Sequence, residues 1–516
     1  MADTIAAAVL ARAEDDTTGL LFEDQSWTWR EVVAESQARA ATMEAGQHIG
    51  VLLDNVPEYV FLLFGAALAG AVIVGLNPTH SPAELERDIA HTDCSVVIDD
   101  SSGLRVSARA SARAQIHEVS EAALYCLIFT SGSTGAPKAV QMTQGRAART
   151  ASQSAVAFGS DDVLYCSMPL FHGNALLANL FPGLLSGAAI ALRSKFSASE
   201  FMVDVRRYHA TYFNYVGRAL SYILAQPPSP LDAQNDLKYC LGSEASPADR
   251  RAFRERFGCF VVEGYSQSEG GVVITPYSGM PRGALGKPGE GVNVAVLNAQ
   301  TGDECPHAIL DADGRLVNAE EAVGEIVGLD GLRNFEGYYK NDEATQARSR
   351  NGWYWTGDLA YRTEDGTFFF AGRSSDWLRV DGENFAAGPV ENVIARFPGV
   401  RAVVVYPVPD PRTGDQVMAA LEYDGAFDAD AFDAFLAAQP DLGTKWSPRF
   451  VRVVDAIPVT ATGKVDRNPL RKQKWHTDDP LWWRRDPKGA FGLWTGADMG
   501  LWRDQFAEAG REEFFA

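Results

Sequence analysis

The chain has 516 residues, 46% of them hydrophobic, and carries 67 acidic against 46 basic side chains, for a formal charge of −21. A length of this kind holds more than one domain, at roughly 100–200 residues each, and the apolar fraction suits large globular cores. The negative balance argues against nucleic acid or an anionic membrane surface as a partner bound through a general field, so an anionic ligand must be drawn in by local positive groups.

The start, MADTIAAAVLARAEDD, lacks the basic head and long apolar core of a secretory signal. Arg30 to Met43 reads as a helix. Tyr59 to Leu76 is an uncharged, largely apolar run of 18 residues, the shortest that could span a membrane. Gly65, Gly70 and Gly75 interrupt it, and Ala71 to Val74 has strand character, so a buried helix followed by a strand is expected and no transmembrane segment. Tyr125 to Phe129 reads as a buried strand and Thr143 to Phe158 as a helix. Further strands are expected at Val51 to Leu53, Val163 to Met168, Ala189 to Leu192, Thr211 to Val216 and Phe260 to Val262, with a helix at Pro247 to Arg256. Such alternation predicts an α/β fold of layered subdomains with mainly parallel sheets, whose ligands collect at loops leaving the carboxyl ends of strands. From Val323 to Phe370 the pattern changes to short strands and Gly-rich turns, a β-rich subdomain. A boundary near Ser375-Asp376 follows, then a compact α+β unit with strands at Ala402 to Val408 and Val417 to Tyr423. The six cysteines, at 94, 126, 166, 240, 259 and 305, have no CxxC spacing and are read as reduced core residues of a cytoplasmic protein, with no zinc site.

Between the strand and the helix around residue 134 lies Thr130-Ser-Gly-Ser-Thr-Gly-Ala-Pro-Lys138. Gly132 and Gly135 let the backbone approach an anion, and successive N–H groups can form a nest for it. Thr130, Ser131, Ser133 and Thr134 add hydroxyls, and Lys138 adds a mobile positive charge. This is phosphate chemistry, but not the usual NTPase loop, since Pro137 and Ala139 flank the lysine instead of Gly and Ser or Thr.

The string TSGSTGAPK resembles the phosphate loop of the adenylate-forming superfamily of acyl-CoA synthetases, luciferases and peptide-synthetase adenylation domains. Further motifs follow in that family's order: Pro169-Leu-Phe-His172, Gly264-Tyr-Ser-Gln-Ser-Glu269, Tyr354-Trp-Thr-Gly-Asp358, Gly372-Arg373, Gly382-Glu-Asn384 and Pro458-Val-Thr-Ala-Thr-Gly-Lys464. The resemblance implies ATP, Mg²⁺ and CoA as ligands. A large adenylation domain at 1–374 would precede a small mobile α+β domain at 375–516. It implies that the loop holds the β- and γ-phosphates, that Thr134 and Glu269 position Mg²⁺, and that Tyr265 stacks on adenine with Gly242, Ser243 and Glu244 lining the other side. Ser268 stands where the family has Thr and keeps the hydroxyl. Asp358 would take the ribose hydroxyls, Arg373 would reach the nucleotide, and Gly382 and Asn384 would face the thiol channel. Lys464 would enter the site for adenylation and leave for thiolation. His172 would gate the acyl site, which Tyr215 and Gly217 would line.

Asp376-Trp-Leu-Arg379, Gly382-Glu-Asn384 and Tyr215-Val-Gly217 resemble the fatty-acid-transport-protein branch, which includes bacterial steroid side-chain CoA ligases. A bulky apolar carboxylic acid, fatty or steroidal, is therefore the expected substrate. Two departures stand out: Pro389 replaces an acidic residue, and Leu378-Arg379 replaces Ile-Lys. Some 52 residues follow Lys464 and hold five of the chain's 11 tryptophans, expected to pack onto the domain. Two other activities fit the same motifs: loading a carrier-protein thiol, or binding nucleotide or lipid without turnover. The sequence leaves the oligomeric state open.

Overall fold

The computed structural model describes residues 2–100, 118–130, 138–245, 247–281, 283–373, 377–380, 383–412, 414–443, 445–460, 463–487 and 489–515. The chain divides into two compact units. The first comprises 1–273, 330–354 and 461–463, and the second comprises 274–329, 355–460 and 464–516.

Two mainly parallel sheets build the first unit. One has the order Val96–Asp99, His48–Leu52, Val72–Gly75, Leu124–Thr130, Lys138–Thr143, parallel except for its last pair. The other runs Phe260–Glu263, Tyr239–Gly242, Tyr212–Asn214, Val163–Cys166, Ala189–Leu192, Thr18–Phe22, Gln25–Thr28, again antiparallel only at its final pair. The stretch that could have been a membrane span is helix Pro57–Ala69 followed by central strand Val72–Gly75. That helix is apolar all round because it is buried all round. Gly70 ends it in the left-handed conformation that only glycine adopts without strain. Among the described residues no helix is long and apolar enough to cross a membrane.

One local expectation needs correction. The phosphate loop was expected to run from a strand into a helix, but a second strand, Lys138–Thr143, intervenes before helix Gln144–Ala155. It folds back antiparallel on Leu124–Thr130, with Thr130 opposite Lys138. The two strands are thus antiparallel neighbours, and the residues that join them, 131–137, Ser131, Gly132, Ser133, Thr134 and Gly135 among them, lie outside the described residues.

In the second unit, a sheet takes the order Ala284–Pro288, Phe368–Arg373, Trp353–Arg362, Gly324–Gly328, Val294–Leu297, with its first two pairs and its last pair antiparallel. A hairpin pairs Trp377–Val380 with Glu383–Ala386. Beyond it a second sheet runs Val400–Pro409, Asp415–Tyr423, Phe450–Val453, Leu481–Trp483, Gly492–Leu493. The last two strands come from the tail, as does helix Gly496–Glu508. Trp475, Trp483 and Trp502 are buried against Phe450 and Phe506, so the aromatic tail is part of this unit's core. All six cysteines are free thiols and five are buried.

Candidate active site

Four of the expected motifs leave the carboxyl ends of neighbouring parallel strands in the seven-stranded sheet. Val163–Cys166 leads to His172, Tyr212–Asn214 to Tyr215 and Gly217, Tyr239–Gly242 to Ser243 and Glu244, and Phe260–Glu263 to Tyr265, Ser268 and Glu269. Sequence separation of up to about a hundred residues is thereby cancelled by strand order. The carboxyl edge of an open α/β sheet is where ligands bind.

Contacts lock these loops together. Tyr215 N–H donates to Leu241 O at 3.1 Å and Gly217 N–H to Ser243 O at 3.0 Å. A Cβ on Gly242 would lie 2.3 Å from the Tyr215 ring, so only glycine lets this aromatic lie flat on the backbone. The Tyr215 hydroxyl donates to Glu263 Oε1 at 2.8 Å, and the same oxygen accepts Ala245 N–H at 2.7 Å. Burial pushes the Glu263 carboxyl up, while Arg250, the Ala245 N–H and the Tyr215 hydroxyl pull it back. Glu244, between these bonds, has φ +74°, a left-handed conformation that costs a glutamate energy and marks a turn held by its surroundings.

His172 caps the short helix Gly173–Ala175, its Nδ1 accepting Asn174 N–H at 3.2 Å. A Cβ on the next residue, Gly173, would be 3.0 Å from Ser268 Oγ, which places the His172 loop beside the Tyr265–Glu269 loop. A π-helical turn follows at Leu176–Leu180, a geometry concentrated at functional sites.

Tyr265 and Glu269 are both buried. Glu269 Oε1 accepts the Tyr338 hydroxyl at 2.8 Å. Lys138 is half-buried, and its pKa is lowered by burial and by the nearby Arg348 guanidinium, against the opposing pull of Glu269. Lysine, carboxylate and arginine thus share one electrostatic neighbourhood where the Thr130–Lys138 motif ends. Arg146 fixes the glutamate loop from behind, donating through Nη1 to Gln141 O at 2.7 Å and through Nη2 to Ser268 O. Tyr354 adds a bond from its hydroxyl to Gln267 Oε1 at 2.8 Å. Its ring fits against the loop because residue 271 is glycine, where a Cβ would come within 2.0 Å. Arg146, Tyr338, Arg348 and Glu263 were not anticipated. Only Tyr338 had a signal, as an aromatic in the polar, Gly-containing Phe335-Glu-Gly-Tyr338.

In the second unit, Asp358 and Arg373 face each other across the pair Trp353–Arg362 and Phe368–Arg373. Arg373 Nε lies 3.6 Å from Asp358 Oδ1, an ion pair without a direct hydrogen bond. The Trp-Thr-Gly-Asp segment of this strand is pinned by Thr356 Oγ1, which donates to Ile326 O at 2.8 Å and accepts Asp358 N–H at 3.1 Å. Gly357 N–H donates to the buried Glu325 at 2.7 Å. These bonds hold Asp358 in place on its strand, where it is buried at 7% exposure. Asn384 is opposite Arg379 in the register of the small hairpin, whereas Gly382 lies outside the described residues. Lys464 is half-buried at the end of a tight turn, its carbonyl accepting Thr460 N–H at 2.7 Å.

Residues 7–339 match the AMP-binding enzyme family and residues 389–464 match the AMP-binding enzyme C-terminal domain. The chain belongs to the AMP-binding enzyme family. It is 44% identical over 547 residues to a steroid-22-oyl-CoA synthetase of Rhodococcus jostii, covering 99% of this chain and 98% of that protein. A medium/long-chain-fatty-acid–CoA ligase of Mycobacterium tuberculosis, FadD17, is 42% identical over 509 residues, covering 93% and 98%. Among solved structures, ATP-bound MatB of Rhodopseudomonas palustris aligns with a TM-score of 0.79 at 22% identity over 92% of this chain and 99% of that one, a likeness of fold. MenE of Bacillus subtilis in complex with AMP aligns at 0.75 and 25% identity, over 90% and 97%.

Proposed function

We propose that this AMP-binding enzyme is an acyl-CoA synthetase for a bulky apolar carboxylic acid, a steroid carrying a carboxylated side chain first and a medium- or long-chain fatty acid second. The observation that carries the reading is near-full-length identity of 44% to a steroid-22-oyl-CoA synthetase. The fatty-acid reading rests on the 42% identity to FadD17. Both names favour CoA over a carrier-protein thiol as acceptor.

In the reaction, a carboxylate oxygen attacks the α-phosphorus of ATP and pyrophosphate leaves. The CoA thiol then attacks the acyl carbonyl, and AMP leaves. Negative charge builds on phosphate oxygens in the first step and on the carbonyl oxygen in the second, so the protein's task is to position groups and stabilise that charge. Lys138 and the rest of the Thr130–Lys138 motif hold the outer phosphates, Tyr265 and the Gly242–Glu244 backbone flank adenine, and Asp358 takes the ribose hydroxyls with Arg373 beside it. His172 acts as a gate rather than a base, because the carboxylate already bears its charge. Lys464 bridges carboxylate and phosphate oxygens during adenylation only. We divide the chain at 374/375 into an adenylation domain and a mobile C-terminal domain and place the enzyme in the cytoplasm, where ATP and CoA are available.

Glu269 fits a Mg²⁺ role: it is a buried carboxylate next to Lys138, with one oxygen already oriented by Tyr338. A single carboxylate suits an ion that keeps most of its water and binds mainly to substrate phosphates. Mg²⁺, held by Glu269 with Thr134, would neutralise phosphate charge.

The test is AMP formation by purified protein with ATP, MgCl₂ and CoA, across acids from acetate to palmitate and steroid side-chain acids. Turnover confined to bulky apolar acids is expected, with the steroid acid leading. Preference for acetate-sized acids, or no turnover with any acid, overturns the reading.

A further inference from the structure

The turn that carries Lys464 is anchored at both ends by carboxylates from elsewhere in the second unit. On the entering side, Ile457 N–H donates to Glu422 Oε1 at 2.7 Å, and Glu422 is 3% exposed at the end of strand Asp415–Tyr423. On the leaving side, Arg467 Nη2 donates to Glu391 Oε1 at 2.8 Å. The same Glu391 oxygen accepts Val405 N–H at 2.8 Å, which ties helix Ala387–Ile394 to strand Val400–Pro409. Between the anchors the chain closes on itself. Val459 bridges Val465, Asp466 N–H donates to Pro458 O at 2.8 Å, and Lys464 N–H donates to Thr460 Oγ1 at 3.2 Å.

A turn with a single bridge is too short to hold its own direction. Lysine, on a flexible four-carbon stem, multiplies any error in that direction. Buried carboxylates add little net stability, because desolvation offsets their attraction. Glu422, which is buried, and Glu391, which is partly buried, stand on the two legs of one turn and so act by fixing where that turn points. Arg467 also lies three residues past the matched C-terminal domain, which ends at 464.

We infer that Glu391 and Arg467, with Glu422 on the opposite leg, are positioning residues for Lys464 and control adenylation without touching substrate. This rests on the proposed role of Lys464. Adenylation needs the ammonium placed between two anionic oxygens, and a misplacement of ~1 Å can cost about a hundredfold in rate. Thiolation does not use the lysine and should be indifferent to the anchor.

Two single-turnover reactions separate these cases: pyrophosphate release from ATP and the best acid of the panel, and conversion of the corresponding acyl-adenylate with CoA. Arg467→Met should slow the first by about tenfold or more, within the range set by misplacement, and leave the second nearly unchanged. Arg467→Lys, which keeps the charge, should recover part of the loss. Glu391→Gln keeps an acceptor for Val405 N–H and should reproduce the selective defect if Arg467→Met proves unstable. Equal loss in both reactions, or none in either, overturns the inference. Lys464→Ala distinguishes the failures: if it is itself unselective, the role of the lysine falls. If it is selective and the anchor variants are not, only the anchor falls.

Discussion

Glu263 shows how a single side chain joins three motifs. Its Oε1 gathers the Tyr215 hydroxyl and the Ala245 N–H, and Arg250 lies 3.4 Å away. Burial nevertheless keeps its folded pKa above the ordinary value of 4.5. The folded state therefore holds the proton more tightly than the unfolded chain does. This contribution to stability is full below the unfolded value and is lost as pH rises through the folded one. Glu263→Gln should flatten the fall in stability between these pH values, as read by urea unfolding at a series of pH. An unchanged slope would show that other groups set it. Tyr215 was legible through the Tyr-Val-Gly stretch, but Glu263 was not. A glutamate closing a short apolar strand looks the same whether it ends in solvent or under an aromatic ring.

At the scale of elements, the Arg146 guanidinium links strand Lys138–Thr143 to the loop that carries Glu269. Burial lowers its pKa, with Glu336 the largest opposing influence. Hydrogen bonds from a charged donor are worth about 1.5–3 kcal/mol each. Arg146→Met should therefore lower the melting temperature by several degrees and raise KM for ATP more than KM for CoA. Equal rises would mean that the arginine supports the fold generally. The sequence could not reveal this link, because Lys138 to Thr143 mixes polar with apolar side chains directly after Pro137, so it reads as the tail of a loop. Other segments agree closely with expectation: Ala189–Leu192 matches to the residue, and Phe260–Glu263 and Pro247–Phe257 lie within a residue of it. The strands of the tail escaped notice because Leu481–Trp483 and Gly492–Leu493 are too short to show alternation.

For the whole molecule, a charge of −21 opposes the approach of ATP and CoA, both polyanions. Screening shortens the reach of that field from about 30 Å at 0.01 M salt to about 8 Å at 0.15 M. The value of kcat/KM for CoA should accordingly rise over that interval, the reverse of an electrostatically steered enzyme. A steep fall would show that local cations outweigh the net field. Composition made this expectation possible, and the ordered motifs made the two-part α/β architecture legible. What sequence could not supply was the depth at which each polar side chain lies, since burial depends on partners far away in the chain.

The tail has an optical consequence. Trp355, Trp377, Trp446, Trp475, Trp482, Trp483, Trp494 and Trp502 belong to the second unit, against Trp27, Trp29 and Trp353 in the first. Indole emission excited at the red edge therefore comes mostly from the second unit, and an arginine, Arg449, lies 4.7 Å over the Trp502 ring. Loosening of that core would bring water to the rings and shift the emission to longer wavelength, over a smaller background from the three indoles of the first unit. The protein thus carries an unlabelled fluorescent reporter on the same unit as Lys464.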